Sequence, residues 1–572
     1  MAGALSFRRA IAVRFVRRPI RKITNSGAPA IVRGSSGKPA ERLGKCRLNL
    51  DIAMPLDLIF HGAAGTVTGS CIELRTADKR LLIDCGLFQG SRSLEALNYE
   101  SPMFEPERID AVLLTHAHLD HSGRLPLLMR FDSQATIWCT PPTRKLLKPL
   151  LDDAARLQAS DADRRNRRPD RAGQPPFAPL YDEADVARLM QCVRPRGYGE
   201  WFEPVAGISA RFHDARHILG SACIELLCEG QRLLFSGDIG QGAASPGALA
   251  DAVDPFDHLV CEATYGDRDR IIPTEAERRA ELADVVSTAL ARGGNLVIPA
   301  FALERTQQLL EDLSALFEER LLAPSPIFVD SPLANRITRA YRACAVPGSR
   351  PGLDHPQIRF TTDVAQSKAL NRVSGAIIIA GSGMCTGGRV RHHLIRNLPR
   401  VESTILFVGY QARGTLGQVL QSGARSVRIS GNDVRVRAKL ATIDAYSAHA
   451  DHGGLLAFLA AREVRCSIFL DHGEEPALRH LAADLSMLPG KPQPIIPMLG
   501  EHYRLAKGKI ARRIGGARKG AETLVAPADW HNRYAALAAS LEERLRALPS
   551  DSARSRALAA AEAAIIEQMP SA

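Results

Sequence analysis

Three histidines and an aspartate crowd into six residues, His116-Ala117-His118-Leu119-Asp120-His121, directly after the apolar run Ala111-Val112-Leu113-Leu114 and before Ser122-Gly123. This feature constrains the fold more than any other stretch. The apolar run must lie in a sheet, and the polar cluster must sit where that strand opens into a turn and a following helix. Imidazole and carboxylate are ligands that Zn²⁺ accepts, and the spacing lets His116 and His118 face one way while Asp120 and His121 face another. Two metals can then share one loop.

A binuclear centre needs more groups than one loop supplies, and they should lie at later strand ends. His217 stands in Asp214-Ala215-Arg216-His217-Ile218-Leu219-Gly220-Ser221, and Asp238 in Leu233-Leu234-Phe235-Ser236-Gly237-Asp238-Ile239-Gly240. Each adjoins an apolar stretch that reads as a buried strand. Upstream, Leu81-Leu82-Ile83-Asp84-Cys85-Gly86 places a carboxylate just past another strand. Singly, each is an ordinary loop residue; it is the series that carries meaning.

Taken in chain order, Asp84, the His116-to-His121 cluster, His217 and Asp238 resemble the metal-site motifs of the metallo-β-lactamase fold. Farther on, Cys261-Glu262-Ala263-Thr264-Tyr265-Gly266-Asp267-Arg268, Tyr446-Ser447-Ala448-His449-Ala450-Asp451 and Leu470-Asp471-His472-Gly473-Glu474 resemble motifs A, B and C of the β-CASP nucleases. The resemblance runs from about residue 56 to about residue 505. It implies an α/β fold, a metallo-β-lactamase αββα sandwich with an inserted β-CASP α/β domain. On this reading residues 54–266 and 448–505 form the lactamase part, 267–447 the insertion, 1–53 a leader and 506–572 a helical extension. The active site then lies in the cleft between the two parts, as a polymer substrate requires.

The resemblance also implies roles. His116, His118 and His217 would hold one Zn²⁺, Asp120, His121 and His472 the other, and Asp238 would bridge them, so that two metals activate a water and neutralise the scissile phosphate. Asp84 would fix ligand orientation by hydrogen bonds. Asp120 and Asp84 count among the catalytic groups together with His449, the candidate proton donor to the departing ribose oxygen, and Glu262, which would orient His449 and raise its pKa. Motif A carries Ala263 where the family usually has Ser or Thr, a change that spares the carboxylate. His472 in motif C goes with RNA-acting members, and His118, where di-iron relatives carry Glu, favours zinc.

On the insertion, strands such as Ile377-Ile378-Ile379-Ala380 and Ile405-Leu406-Phe407-Val408 alternate with helical stretches such as Arg305-to-Leu316, the pattern of an α/β domain. The turn Gly381-Ser382-Gly383-Met384-Cys385-Thr386-Gly387-Gly388-Arg389 precedes a helix, and its glycines would let backbone N–H groups approach a phosphate. Ser382, Gly383, Gly387, Gly388 and Arg389 are therefore candidate substrate contacts, with a plain Gly-rich turn as the competing reading. Arg305 and Thr306 open another helix, where Arg305 either meets substrate or is a solvated charge. His392 and His393 either line the groove or cap their helix.

Net charge is +12, yet twelve of the basic residues and only two acids fall in residues 1–53, leaving 62 basic and 60 acidic residues elsewhere. The body is nearly neutral, so RNA affinity has to come from local groove charges and the zinc ions. The run Arg164-Arg165-Asn166-Arg167-Arg168-Pro169-Asp170-Arg171 reads as a solvated loop or an RNA-contacting one. The leader has three readings: a transit peptide, an RNA-binding arm, or a misassigned start before Met54. No stretch is long and apolar enough to span a membrane, and the 11 cysteines show no paired C-x-x-C spacing, as in a reduced cytoplasmic protein. Beyond residue 505, Ala, Arg and Glu at helical spacing predict two helices separated near Pro549, which pack on the body, form a homodimer, or do neither.

The function expected is a zinc-dependent ribonuclease hydrolysing phosphodiester bonds in single-stranded RNA, endonucleolytic in the first place, with 5′-exonucleolytic action as an open alternative. The alternatives are a hydrolase of a small ester, thioester or lactam on the same fold, and a non-catalytic RNA-binding subunit. The inserted domain speaks against the former, and the complete ligand set against the latter.

Overall fold

The computed structural model describes residues 55–171, 173–241, 254–270, 273–344, 352–409, 411, 415–518, 541 and 544–567. The leader and the first of the two expected C-terminal helices lie outside these residues. Of the second, Asp551–Glu567 is an α-helix.

Two mixed sheets face each other. The first runs, in spatial order, Lys509–Gly515, His502–Ala506, Leu56–Phe60, Ile72–Arg75, Arg80–Ile83, Ala111–Leu113, Thr136–Cys139 and Val193–Pro195. The second runs Pro494–Ile495, Val464–Asp471, Phe256–Glu262, Gln231–Phe235, Ala222–Cys228, Ile208–Asp214 and Trp201–Val205. Alternation along the strands sends Leu56, Leu58, Phe60, Leu81 and Ile83 from one sheet against Phe212, Ile224, Leu233, Phe235 and Phe469 from the other. Burying each such side chain contributes about 1.5–3 kcal/mol. The opposite face of the first sheet carries the helices Pro141–Asn166 and Glu183–Cys192, through Leu147, Leu151, Val186 and Leu189. That of the second carries His452–Ala460 and Glu475–Met487, through Leu455, Phe458, Leu478 and Leu481. Helix, sheet, sheet, helix is the αββα sandwich.

A third sheet is wholly parallel, in the order Ile358–Phe360, Ile327–Asp330, Ile377–Ala380, Leu296–Pro299, Thr404–Val408, Lys439–Ile443. All four residues of Ile377–Ala380 are buried, as a strand covered on both faces must be. The helix Arg305–Glu318 lays Leu309, Leu310, Leu313, Leu316 and Phe317 on this sheet at helical spacing. The same apolar cluster takes in Ala117 and Ile218, which belong to the ligand loops of the sandwich. Lys145 Nζ donates to the Ala343 carbonyl at 2.6 Å and Arg336 Nη2 to Asp153 at 2.6 Å, adding polar ties beside that seam.

Two local expectations differ from the structure. Residues 509–515 form a strand, not helix: Lys507-Gly508 turns the chain back, and Lys509–Gly515 pairs antiparallel with His502–Ala506 at the sheet edge. The basic run at 164–171 is not a free loop, because the helix begun at Pro141 with Thr140 as its cap continues through Asn166, and Arg165 stacks on Phe177 with 4.6 Å to the ring centre.

Candidate metal centre

Six strands deliver the site residues at their C-terminal ends. Asp84 follows Arg80–Ile83, the histidine cluster follows Ala111–Leu113, His217 follows Ile208–Asp214, Asp238 follows Gln231–Phe235, Glu262 ends Phe256–Glu262, and His472 follows Val464–Asp471. Backbone approach is very tight here. A Cβ at Gly86 would lie 1.6 Å from the Asp120 carbonyl oxygen, and one at Gly240 would lie 1.7 Å from the Arg216 carbonyl oxygen, so only glycine lets these loops nest.

Four donors converge first. His116 Nε2 is 3.0 Å from His118 Nδ1, which is 3.3 Å from His217 Nε2, and Asp238 Oδ2 is 3.5 Å from both His116 Nε2 and His217 Nε2. Ligand atoms bound tetrahedrally to one Zn²⁺ stand roughly 3.3 Å apart, so the spacing fits. Burial holds His116 and His217 well below the usual imidazole range and pushes His118 down to about 4. All three are therefore neutral near pH 7 and present lone pairs.

Beside them lie His121, His472 and Asp120. His121 Nε2 is 3.1 Å from His472 Nε2 and 3.1 Å from Asp238 Oδ1, and Asp120 Oδ2 is 3.9 Å from His472 Nε2. Asp84 sets the tautomer: its Oδ2 accepts from His121 Nδ1 at 2.7 Å and from Thr115 Oγ1 at 2.8 Å, while its Oδ1 accepts from the Thr115 N–H at 2.8 Å. Nε2 is then the atom His121 offers to a metal. Burial lowers the His121 pKa, but Asp238 and Asp84 outweigh it and raise it well above the usual value. Burial likewise favours a protonated Asp238, and His121, His472 and His116 overrule it, holding that carboxyl well below the usual range. The surroundings thus favour positive charge at His121 Nε2, as a proton or as a metal. A cation there also answers Asp238 Oδ1, which is buried without a hydrogen-bond partner among the described residues. Asp238 turns one oxygen to each donor group, and the residues fit metal ions.

His449 stands outside both groups, with its ring centre 4.4 Å from that of His217. Its Nδ1 is 3.4 Å from both oxygens of the buried Glu262. Glu262 is itself fixed by N–H donors from Ile239 and from Thr264, the latter at 3.3 Å. Burial depresses the His449 pKa, but the Glu262 carboxylate outweighs it and leaves the value raised. The His449 carbonyl accepts from Arg270 Nη2 at 2.6 Å and Gln241 Nε2 at 2.7 Å, pinning the segment.

Several contributors escape a reading of the sequence. Thr115 holds Asp84 and also reaches His116 Nδ1 at 3.1 Å, and Ser221 Oγ accepts the His217 N–H at 3.0 Å. Thr264 Oγ1 lies 3.2 Å from His472 Nδ1, so motif A serves motif C through Thr264 even though Ala263 has no hydroxyl. Adjacency to the cluster was a signal for Thr115; nothing local marks the Thr264 contact across 208 residues. Arg305 is not a solvated charge: its Nη1 is buried without a hydrogen-bond partner among the described residues, and burial lowers its pKa to about 10. Arg270 lies over the Tyr265 ring, 4.8 Å from its centre, and Tyr265 stands edge-on to His449.

The Gly-rich turn is closed by Ser382 N–H to the Gly387 carbonyl at 3.3 Å and Val390 N–H to the Gly381 carbonyl at 3.0 Å. A Cβ at Gly383 would meet the Phe301 ring at 2.7 Å, and one at Gly388 (φ +72°) the Gly381 carbonyl oxygen at 2.4 Å, whereas Gly387 faces open space. Arg389 Nη1 donates to the buried Asp330 at 2.7 Å and to Thr361 at 3.2 Å. His393 is buried against Asp330 at 2.7 Å, and His392 is exposed.

Three family models match the chain: the metallo-beta-lactamase superfamily over residues 64–193, the Beta-Casp domain over 306–420, and the Zn-dependent metallo-hydrolase RNA specificity domain over 433–497. Among curated proteins, the chain is 36% identical to Ribonuclease TTHA0252 of Thermus thermophilus over 75% of its own length and 96% of that protein. It is 30% identical to Transcription termination factor FttA of Methanocaldococcus jannaschii, covering 80% of this chain and 73% of that one. The RNase J-like protein of the same archaeon is 29% identical over 73% of this chain and 92% of its own.

Proposed function

This chain belongs to the metallo-β-lactamase/β-CASP family of RNA-processing nucleases, and from that premise we propose that it is a zinc-dependent ribonuclease cutting single-stranded RNA internally. The observation that carries the reading is Asp238, placed with one oxygen toward His116, His118 and His217 and the other toward His121 and His472, with a Glu262-held His449 alongside. The first three histidines would hold one Zn²⁺, and Asp120, His121 and His472 the other, with Asp238 shared. When bound, the ions supply Lewis-acid charge to the scissile phosphate and lower the pKa of a water toward neutrality.

The chain's own residues do the rest. Asp84 keeps the His121 proton on Nδ1. Glu262 keeps a proton on His449 Nδ1, so the second proton of the imidazolium is on Nε2; as water oxygen bonds to phosphorus and the phosphorus–ribose oxygen bond breaks, that proton passes to the departing oxygen. Arg305 and Arg270 supply positive charge beside this point, where a flanking phosphate would lie. Gly383, Gly387 and Gly388 would present backbone N–H groups, and Ser382 its hydroxyl, to the next phosphate, with Arg389 bracing the turn on Asp330. A relative named a ribonuclease and the match to an RNA specificity domain support RNA as substrate. Buried thiols such as Cys139, Cys223 and Cys261 suit a cytoplasmic setting, and no helix among the described residues is long and apolar enough to cross a membrane.

The test is internally labelled single-stranded RNA and matched DNA, incubated with metal-analysed protein with and without chelator. Chelator-sensitive internal fragments from RNA alone are expected. Mononucleotides would replace internal cutting by 5′-exonuclease action, and no cleavage by fully zinc-loaded protein would overturn the ribonuclease reading.

A further inference from the structure

Away from this cluster, three more ligating side chains meet where the helix His452–Ala460 packs on Glu475–Met487. His452 opens the first helix, one residue past motif B. His480 and Asp484 are one turn apart on the second, a spacing that puts both on one face. His452 Nε2 is 2.9 Å from Asp484 Oδ2, and His480 Nε2 is 3.8 Å from the same oxygen. The two imidazoles stand edge to face with centres 4.9 Å apart, and one ligand atom from each of the three residues lies within 4.8 Å of the others.

The hydrogen bonding says which atoms are on offer. His452 Nδ1 lies 2.6 Å from the Gly266 carbonyl oxygen, which can only accept, so Nδ1 carries the proton. Nε2 is then the atom turned toward the Asp484 carboxylate oxygen, where a cation held by both satisfies the pair. A ligating histidine whose other nitrogen donates to a backbone carbonyl is the usual support of a bound metal. Bonds of about 2.0–2.2 Å to a tetrahedral Zn²⁺ put donors roughly 3.3 Å apart, and the two separations to Asp484 bracket that value. His452 is buried, while His480 and Asp484 are about half exposed, so an ion reaches the group from solvent.

We propose that His452, His480 and Asp484 form an additional binding site for a divalent transition metal of the Zn²⁺ class, completed by water and separate from the catalytic cluster. Its position gives it a structural task. The His452 N–H donates to the Arg268 carbonyl at 2.9 Å, Asp451 Oδ2 accepts from Arg270 N at 3.1 Å, and Gly266 sits so close to the second helix that a Cβ would meet the Ala477 carbonyl oxygen at 2.5 Å. An ion here fastens the turn after motif A and the helix after motif B to Glu475–Met487, behind the segment that carries His449. Two exposed ligands and open water positions make it weaker than a buried centre.

The test equilibrates the full-length protein with buffered free Zn²⁺ across the micromolar range and measures zinc per chain by mass spectrometry. Wild type should hold one ion more than His480→Ala and than Asp484→Asn at the upper end of the range. Its melting temperature should rise with zinc by more than those of the variants, which keep only the rise that the catalytic cluster gives, and RNA cleavage by the variants should match wild type. Because the comparison is between chains that share the catalytic residues, it reads this site whatever that cluster binds. Equal zinc content in wild type and both variants, or a zinc-dependent rise in melting temperature of the same size in all three, would overturn the proposal. His480 is exposed, and Asp484→Asn keeps the size of a half-exposed side chain, so folding is preserved.

Discussion

His449→Ala tests the proposed division of labour between proton transfer and metal binding. The ring belongs to neither donor group; its polar contact is Nδ1 to Glu262 at 3.4 Å, and its other close neighbours are the rings of His217 and Tyr265. Truncation leaves Glu262 with its Ile239 and Thr264 N–H donors, so no bare buried carboxylate results. The backbone contacts through the His449 carbonyl are untouched. Zinc content and melting temperature should therefore stay near wild type. The reaction, by contrast, loses the proton that meets the departing ribose oxygen, a contribution of about 10²–10⁴-fold in rate, equivalent to roughly 2.7–5.4 kcal/mol of barrier. Single-turnover cleavage of end-labelled RNA, at zinc contents verified to match, measures this directly. A variant within about threefold of the wild-type rate removes His449 from the mechanism, and loss of zinc in step with activity makes it a ligand instead.

Asp238→Ala should lose metal and activity together, because one carboxylate faces both donor groups; fully metallated Asp238→Ala protein would end its shared role. Asp84→Ala frees His121 Nδ1 and leaves the Thr115 donors without their acceptor, and zinc affinity measured by competition with a chromophoric chelator should fall about 10–100-fold. The buried Glu225 is held by Arg211, Arg232 and His213 and, against the burial that favours its neutral form, these partners bring its pKa down to about 2. A carboxylate lowered in the fold stabilises it above the unfolded value of about 4.5 and ceases to do so as pH falls toward about 2. Denaturant melts should thus find Glu225→Gln well below wild type at pH 7, with the gap closing progressively below about pH 4.5.

Much of the candidate site could be read from the chain because each candidate ligand follows an apolar run, and a buried strand leaves little choice about where its end emerges. Ala111-Val112-Leu113 is buried throughout, so the histidine cluster had to open where that interior strand ends. The same logic pointed to Asp84, His217 and Asp238, whereas His472 came with the motif C resemblance. The αββα sandwich with its insertion was what the resemblance of the motifs implied, and only the alternation of strands and helices within the insertion was legible from periodicity. The strand Lys509–Gly515 was missed because an exposed edge strand bears no apolar pattern; its identity rests on pairing with His502–Ala506.

Other features were decided only by packing. Sequence could name His118 as a ligand but not that Nδ1, rather than Nε2, faces its neighbours. That choice depends on a rotamer set by surrounding loops. Nor could it show that Arg305 Nη1 is buried without a hydrogen-bond partner among the described residues, that Thr264 supports His472, or that His452 meets Asp484, because each depends on which elements fold against one another. The sequence determined which chemistry the chain carries and at which strand ends. Tertiary structure decided which atoms face each other and which charges are stripped of water, because hydrogen-bond direction and desolvation arise only when distant segments share a boundary.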